Sequence, residues 1–278
     1  MTDFAQQVTS SRVRRLILEQ AMRAHVGHIG SALSIADIIT TLYSGVLNLP
    51  GPNDPDRDRF ILSNGHAVLA LYAALFLRGC ISEQDLNTYS SDLTLLGIHP
   101  EHRLDGIDFS TGSLGQGLSY GVGAALAARW QHSRRRVFVL VSDAECNEGA
   151  LWEAVMFAAH HRLANLTCII DLNGQQALGY TDQVLSLSPM EERWRAFGWD
   201  VHTVDGHNIE QMRAAFSGLD THPVGCSETS QAGAPHVLVA HTVFGCGVSF
   251  MRHQIKWHYW PMSAEEYASA LAEIGGEG

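Results

Sequence analysis

The sequence predicts an α/β fold, a parallel sheet flanked by helices, and three observations carry that reading. VFVLVSDAECNEG (137–149) and LTCIIDLNG (166–174) each open on an almost wholly apolar run and end on polar residues at a turn. Runs of Val, Leu and Ile with no alternation are strands buried on both faces, which belong to parallel sheets. Between them, GALWEAVMFAAHHR (149–162) is a good helical stretch, so the unit reads as βαβ. Asp143 then falls at the carboxyl end of the first strand and Asn173 at that of the next, where open α/β sheets place their ligands.

The remaining elements follow in order. Residues 9–24 carry Val13, Leu16, Ile17 and Ala21 at helical spacing, with Ser10 or Ser11 as N-cap, and residues 25–30 form a loop. Ser34 to Asp37 has the S-x-x-D form of a capping box, opening a helix to Tyr43. A polar, Pro-containing loop covers 48–58; RFIL (59–62) is a short strand; SNGH (63–66) leads into an Ala/Leu-rich helix to Leu77. A short helix spans 82–89, 95–109 is irregular, and 118–129 is a helix of small residues. Beyond Asn173 the expectation is a loop to Ser188, a helix at 189–197, a strand at 200–204, a helix at 209–219, a polar loop at 221–234 and a last strand at 236–243. All of 1–278 reads as a single domain, with a core of about 10–260 and a C-terminal tail at 261–278.

With 46% hydrophobic and 17% charged residues, the chain has ample material for a globular core. A net charge of −11 argues against nucleic acid or an anionic membrane as the main partner. The five cysteines are scattered without CxxC or metal-like spacing, as expected of reduced thiols. The N-terminus has no apolar signal core and no apolar run reaches membrane-spanning length, so a cytoplasmic protein is expected.

Three constellations could carry chemistry. Asp143 with Asn173 offers oxygen ligands of the kind magnesium takes together with phosphate. Equally, Asp143 can cap the helix that follows and Asn173 can stabilise its own turn. TGSLGQG (111–117) is a glycine-rich entry to a helix, suited either to close approach of a ligand or to close helix packing. It is neither a Walker loop nor a dinucleotide fingerprint. His28, His66, His99 and His258 lie in predicted loops beside Gly, Pro or Trp, where imidazoles could converge on phosphate and sugar hydroxyls. No HExxH occurs, and no strand leads into a GxSxG elbow, so neither a zinc protease site nor a hydrolase triad is supported.

Taken in chain order, these residues resemble the thiamine-diphosphate-dependent transketolases. The family's Gly-Asp-Gly…Asn cofactor motif is met by Ser142-Asp143-Ala144 and Asp171-Leu172-Asn173-Gly174. GHIGSALS (27–34), SNGH (63–66), His99-Pro100-Glu101, TGSLGQG, ECNEGALWEA (145–154), Asp205-Gly206-His207 and AHTVFGCGVSFM (240–251) match further motifs, especially those of split-chain forms. The resemblance implies a thiamine-diphosphate-binding fold, specifically the diphosphate-binding domain. It implies that Asp143, Asn173 and the main-chain oxygen of Gln175 hold Mg2+. It places His66 and Ala144 at the diphosphate, and Gly112, Ser113 and Leu114 at the aminopyrimidine side. His28, His99 and His258 are the implied catalytic histidines, with His28 and His258 also touching the cofactor. Glu148 is implied in a subunit contact.

Ser142 and Ala144 replace the motif glycines, and Phe244, Cys246 and Tyr259 alter the substrate rim. The family's pyrimidine domain has no counterpart in these residues. The resemblance therefore implies a partner chain carrying that domain, an α2β2 assembly, and transfer of a two-carbon ketol unit from a ketose or its phosphate to an aldehyde. The alternatives are a specialised C2- or acyl-transfer subunit, or else a non-catalytic scaffold or regulatory subunit.

Overall fold

A computed structural model describes residues 4–51, 54–219 and 233–275. Its centre is a parallel sheet of five strands: β1 (Arg59–Leu62), β2 (Val137–Ser142), β3 (Leu166–Leu172), β6 (Asp200–Asp205) and β7 (His236–His241). They lie in the order β1-β2-β3-β7-β6. A two-stranded antiparallel ribbon, β4 (Gln175–Gln176) with β5 (Gly179–Tyr180), follows β3.

Period-two alternation divides the core. Phe60, Leu62, Phe138, Leu140, Ile169, Leu238 and Ala240 face one side, packed beneath α1 (Ser10–Ala24), α2 (Ile29–Ser34), α3 (Ala36–Thr41), α4 (Val68–Leu77), α10 (Ile209–Gly218) and α12 (Ala264–Gly275). Ile61, Val137, Val139, Val141, Cys168, Ile170 and Val239 face the other, under α6 (Gly117–Trp130), α7 (Gly149–His160) and α9 (Met190–Ala196). Both faces being covered explains why the strand sequences are continuous apolar runs. Short helices α5 (Glu83–Leu86), α8 (Thr181–Val184) and α11 (Lys256–Tyr259) complete the chain.

The small residues of α6 serve packing. A Cβ on Gly121 would stand 2.3 Å from Val139 Cγ2, and one on Gly117 would stand 2.3 Å from Ser63 Oγ. The helix therefore lies directly on β1 and β2, as the packing reading of TGSLGQG expects.

Several local expectations are corrected. Thr9, not Ser10 or Ser11, caps α1, its hydroxyl accepting from Arg12 N. Ser34 and Asp37 form no capping box, because the chain is already helical from Ile29 and both side chains are drawn into buried networks. The segment after Asn173 is a ribbon and a helix rather than a loop. The tail contains α12, with Ala270 and Ile274 buried. Of the loop expected at 221–234, residues 221–232 lie outside the described residues. Among the described residues no helix is long and apolar enough to cross a membrane, and Cys80, Cys146, Cys168 and Cys246 are free thiols.

Candidate active site

Strand register levels the carboxyl ends of β2, β3 and β7: Ser142 pairs with Asp171, and Leu172 with His241. The polar residues just past those ends therefore lie side by side. Asp143 accepts from Ala144 N at 2.8 Å and from Gly174 N at 2.7 Å. Asn173 Oδ1 accepts from Gln175 N at 2.8 Å, and its Nδ2 donates to Asp171 Oδ2 at 2.8 Å. Asn173 thus stabilises its own turn as expected, while Asp143 caps the short 3-10 turn Ala144–Asn147 rather than α7, whose N-cap position is Glu148. These bonds leave oxygen lone pairs over, since each oxygen can accept twice.

Three buried carboxylates gather here, and each is held by neutral donors. Glu145 takes the Ser63 hydroxyl and Gly115 N at 2.7 Å. Asp171 takes the hydroxyls of Ser34 and Thr242 besides Asn173. Elsewhere buried carboxylates have arginine: Asp37 has Arg14, Asp58 has Arg136 and Asp108 has Arg57. Burial, and then the charge of Asp171, push the Asp143 carboxyl up to about 7. Burial pushes Glu145 up to about 7 and raises Asp171 as well. Buried carboxylates held by neutral donors, with raised pKa values, are groups whose ionised form a nearby divalent cation would stabilise.

The histidines converge from three separate segments. His28 precedes α2, His66 precedes α4 and His258 lies in α11, yet their ring centroids are 4.9–5.4 Å apart. His28 reaches this position with a left-handed backbone (φ 60°), and its amide donates to His258 O at 3.2 Å. His99 stands behind Gly112, where a Cβ would come within 3.1 Å of the imidazole. Burial, followed by His258, His28 and His99, pushes His66 down to about 3; burial, then His28, pushes His258 to about 4. Burial also lowers His28 and His99. All four are neutral at pH 7. An unfolded histidine protonates near ~6.5, so between that pH and about 3 the unfolded chain binds more protons at His66, and stability falls as pH falls. The His66 ring signals are expected to show no protonation by NMR titration down to pH 5; a midpoint near 6.5 refutes the dry, neutral cluster.

Asn64, His66, Leu114, Ala144, Asn173 and Gln175 line one cleft, with His258 at its edge. Buried Asn64 Oδ1, Gln175 Oε1 and His28 Nδ1 have no protein hydrogen-bond partner. They are unused polar atoms for a ligand, bound water or a hydrated cation. Asp143 lines the adjoining crevice with Leu172, reaching the cleft side through Gly174. The cleft holds about 200 Å³, less than the ~300 Å³ at which drug-sized pockets begin, so it suits one part of a larger ligand. A cavity of about 420 Å³ under Tyr43, Phe60 and Leu75 contains none of these groups.

Ser142 and Ala144 fit without strain. Neither has a positive φ, and Ser142 Oγ accepts from Glu145 N at 3.1 Å. Residues 253–259 are pinned to the ribbon: Gln175 Nε2 and Tyr180 OH donate to His253 O at 2.9 and 3.1 Å, and Tyr259 OH donates to Ala177 O. Phe244 is buried against Gly30, whose Cβ would lie 2.1 Å from the ring. Phe244 thus backs the histidine wall from within the core. Glu148 lines the cleft, pressed against Gly115. Glu145 and Asp171 lie within the matched motifs, where the resemblance gives them no role; Asp171 is an acid near the end of buried β3, and Glu145 falls in the turn after β2.

The fold and the cleft define an α/β protein with its ligand groups at the carboxyl ends of a parallel sheet. The transketolase family's thiamine diphosphate binding domain matches residues 5–277, and the chain belongs to that family. It is 38% identical over 270 residues to one of the subunits of apulose-4-phosphate transketolase from Phocaeicola vulgatus, covering 96% of this chain and 93% of that one. It is 38% identical over 269 residues to a 6-deoxy-6-sulfo-D-fructose transketolase subunit of Clostridium sp., covering 96% and 94%. The solved transketolase from Leishmania mexicana superposes with a TM-score of 0.86 at 27% identity, over 99% of this chain and 42% of that one. The chain thus spans under half of the full-length enzyme but nearly all of the two subunits.

Proposed function

We propose that this chain is the diphosphate-binding subunit of a two-chain transketolase using thiamine diphosphate and Mg2+. The observation that carries the reading is that Asp143 and Asp171, buried at adjoining strand ends, are hydrogen-bonded by neutral donors alone, with Glu145 held likewise by Ser63 and Gly115. Similarity to proteins named as transketolase subunits over 93% and 94% of their length supports the two-chain form. In this reading Asp143, Asn173 and a Gln175 oxygen hold the magnesium. His66 and the amides around Ala144 meet the diphosphate, and Gly112 to Leu114 lie on the aminopyrimidine side. Bound thiamine diphosphate supplies the nucleophilic carbon that breaks and re-forms a carbon–carbon bond beside a ketose carbonyl.

The chain's own residues supply the setting. His28, His99 and His258, neutral at pH 7, accept hydrogen bonds from substrate hydroxyls and return protons as alkoxides form. The dry histidine wall strengthens each such interaction. The substrate is a ketose or ketose phosphate, with an aldehyde as acceptor. The partner is a chain carrying the pyrimidine domain, in an α2β2 assembly in the cytoplasm.

The test is reconstitution with such a partner chain. Ketol transfer is expected only with both chains, thiamine diphosphate and Mg2+ present. Cofactor binding without transfer from any ketose favours specialised acyl transfer. No cofactor binding by the pair sinks the enzymatic reading and leaves a scaffold.

A further inference from the structure

Among the described residues, two clusters outside the cleft bring three metal-ligating side chains within 4.8 Å of one another. Asp37, His207 and Cys246 form the first, and its ligand positions are taken. Arg14 pairs with both oxygens of Asp37, and Val243 N donates to His207 Nε2 at 2.8 Å. The Arg14 guanidinium also lies 3.6 Å from Cys246 Sγ, so a cation there would meet a fixed positive charge.

Asp200, His202 and His236 are arranged differently. Asp200 and His202 are two apart on β6 and so share a face, and the register sets His236 of β7 directly beside Asp200. Both imidazoles converge on one oxygen: His202 Nε2 lies 3.0 Å and His236 Nδ1 3.2 Å from Asp200 Oδ2. Tetrahedral zinc with bonds of about 2.0–2.1 Å holds its ligand atoms about 3.3 Å apart; both imidazole–carboxylate distances are close to that, and all three ligand atoms lie within 4.8 Å of one another. The His236 side chain is 4% exposed and fixes the geometry, while those of His202 (32%) and Asp200 (51%) open to solvent and give entry. Burial pushes the Asp200 carboxyl up, but His202 and His236 outweigh it and hold the ligand in its ionised form.

We propose that Asp200, His202 and His236 bind a divalent transition-metal ion of the zinc class at the amino ends of β6 and β7. Two imidazoles and one carboxylate are a zinc-type donor set with a fourth position left for water. The site lies at the opposite end of the sheet from the cleft and stands independently of the transketolase reading. Because β6 is the sheet's edge strand, the ion ties that edge to its neighbour and stabilises the folded chain by mass action.

Zinc alone is the probe, added to the full chain with thiamine diphosphate and magnesium present in excess. Calorimetry is expected to find one zinc per chain that is lost in Asp200→Asn and in His202→Ala, with a zinc-dependent rise in Tm lost alongside it. Cobalt in place of zinc is expected to give visible bands of a tetrahedral site in the unmodified chain and neither variant. Failure of the unmodified chain to bind zinc, or unchanged stoichiometry and Tm shift in both variants, overturns the site.

Discussion

Asp143→Ala is expected to abolish magnesium-dependent binding of thiamine diphosphate, a loss of at least 100-fold read by calorimetry with the partner chain present. Asp143 is 3% exposed, and its carboxylate accepts from the amides of Ala144 and Gly174. Alanine removes the charge and also leaves two amides without their acceptor, so Asp143→Asn is the sharper variant. Asparagine keeps an acceptor oxygen and removes the charge. The sign of its effect on the metal-free protein is distinctive. An unfolded carboxyl ionises at 3.8 and the folded one at about 7, so the folded chain binds more protons between those values. Stability from this group therefore falls as pH rises through that window and stays low above it. Asp143→Asn removes the penalty: a raised metal-free Tm at pH 8 together with lost cofactor affinity is expected. Unchanged cofactor affinity in the folded variant would refute the metal-ligand role.

Arg14→Met is expected to cost about 3–5 kcal/mol in denaturant unfolding, the usual penalty for stranding one half of a buried ion pair. Arg14 and Asp37 have side-chain exposures of 7% and 6%, and Asp37 also accepts from His207 Nδ1 at 2.7 Å. Burial alone would raise the Asp37 carboxyl, but His207 and Arg14 more than offset it and hold it at about 2. That stability is fully present above pH 3.8 and is lost as pH falls through about 2. The double variant with Asp37→Asn should recover part of the loss, because no buried charge is then left unpaired. A cost below about 1 kcal/mol, as for an exposed pair, would show that the network is dispensable.

The inner strands β2, β3 and β7 were legible because they are buried on both faces and read as nearly unbroken apolar runs, whereas in the edge strand β6 only Val204 is buried. The meeting of His28 and His66 was legible because each sits in a loop or turn marked by glycine, whereas His258, expected in a loop, lies in the short helix α11. The carboxylate trio was not. Asp171 is held by Ser34 and Thr242, which lie 137 and 71 residues away, and a serine before an acid looks like a helix cap. The Arg14–Asp37–His207 network likewise joins residues 23 and 170 apart. Local patterns carry burial and helix ends, whereas such pairings are made only by the tertiary fold. The ribbon after Asn173 escaped because its strands are two residues each, too short for any periodicity.

The bonds joining residues 253–259 to the ribbon have a thermodynamic consequence. His258 and Gln175 come from segments 83 residues apart in number, yet His253, Tyr259, Ala177 and Tyr180 brace those segments together before any ligand arrives. Ordering a free segment over the cleft would consume binding free energy, roughly 0.5–1.5 kcal/mol for each side chain immobilised. With the brace in place that entropy is lost during folding, and the cleft is preorganised for whatever it receives.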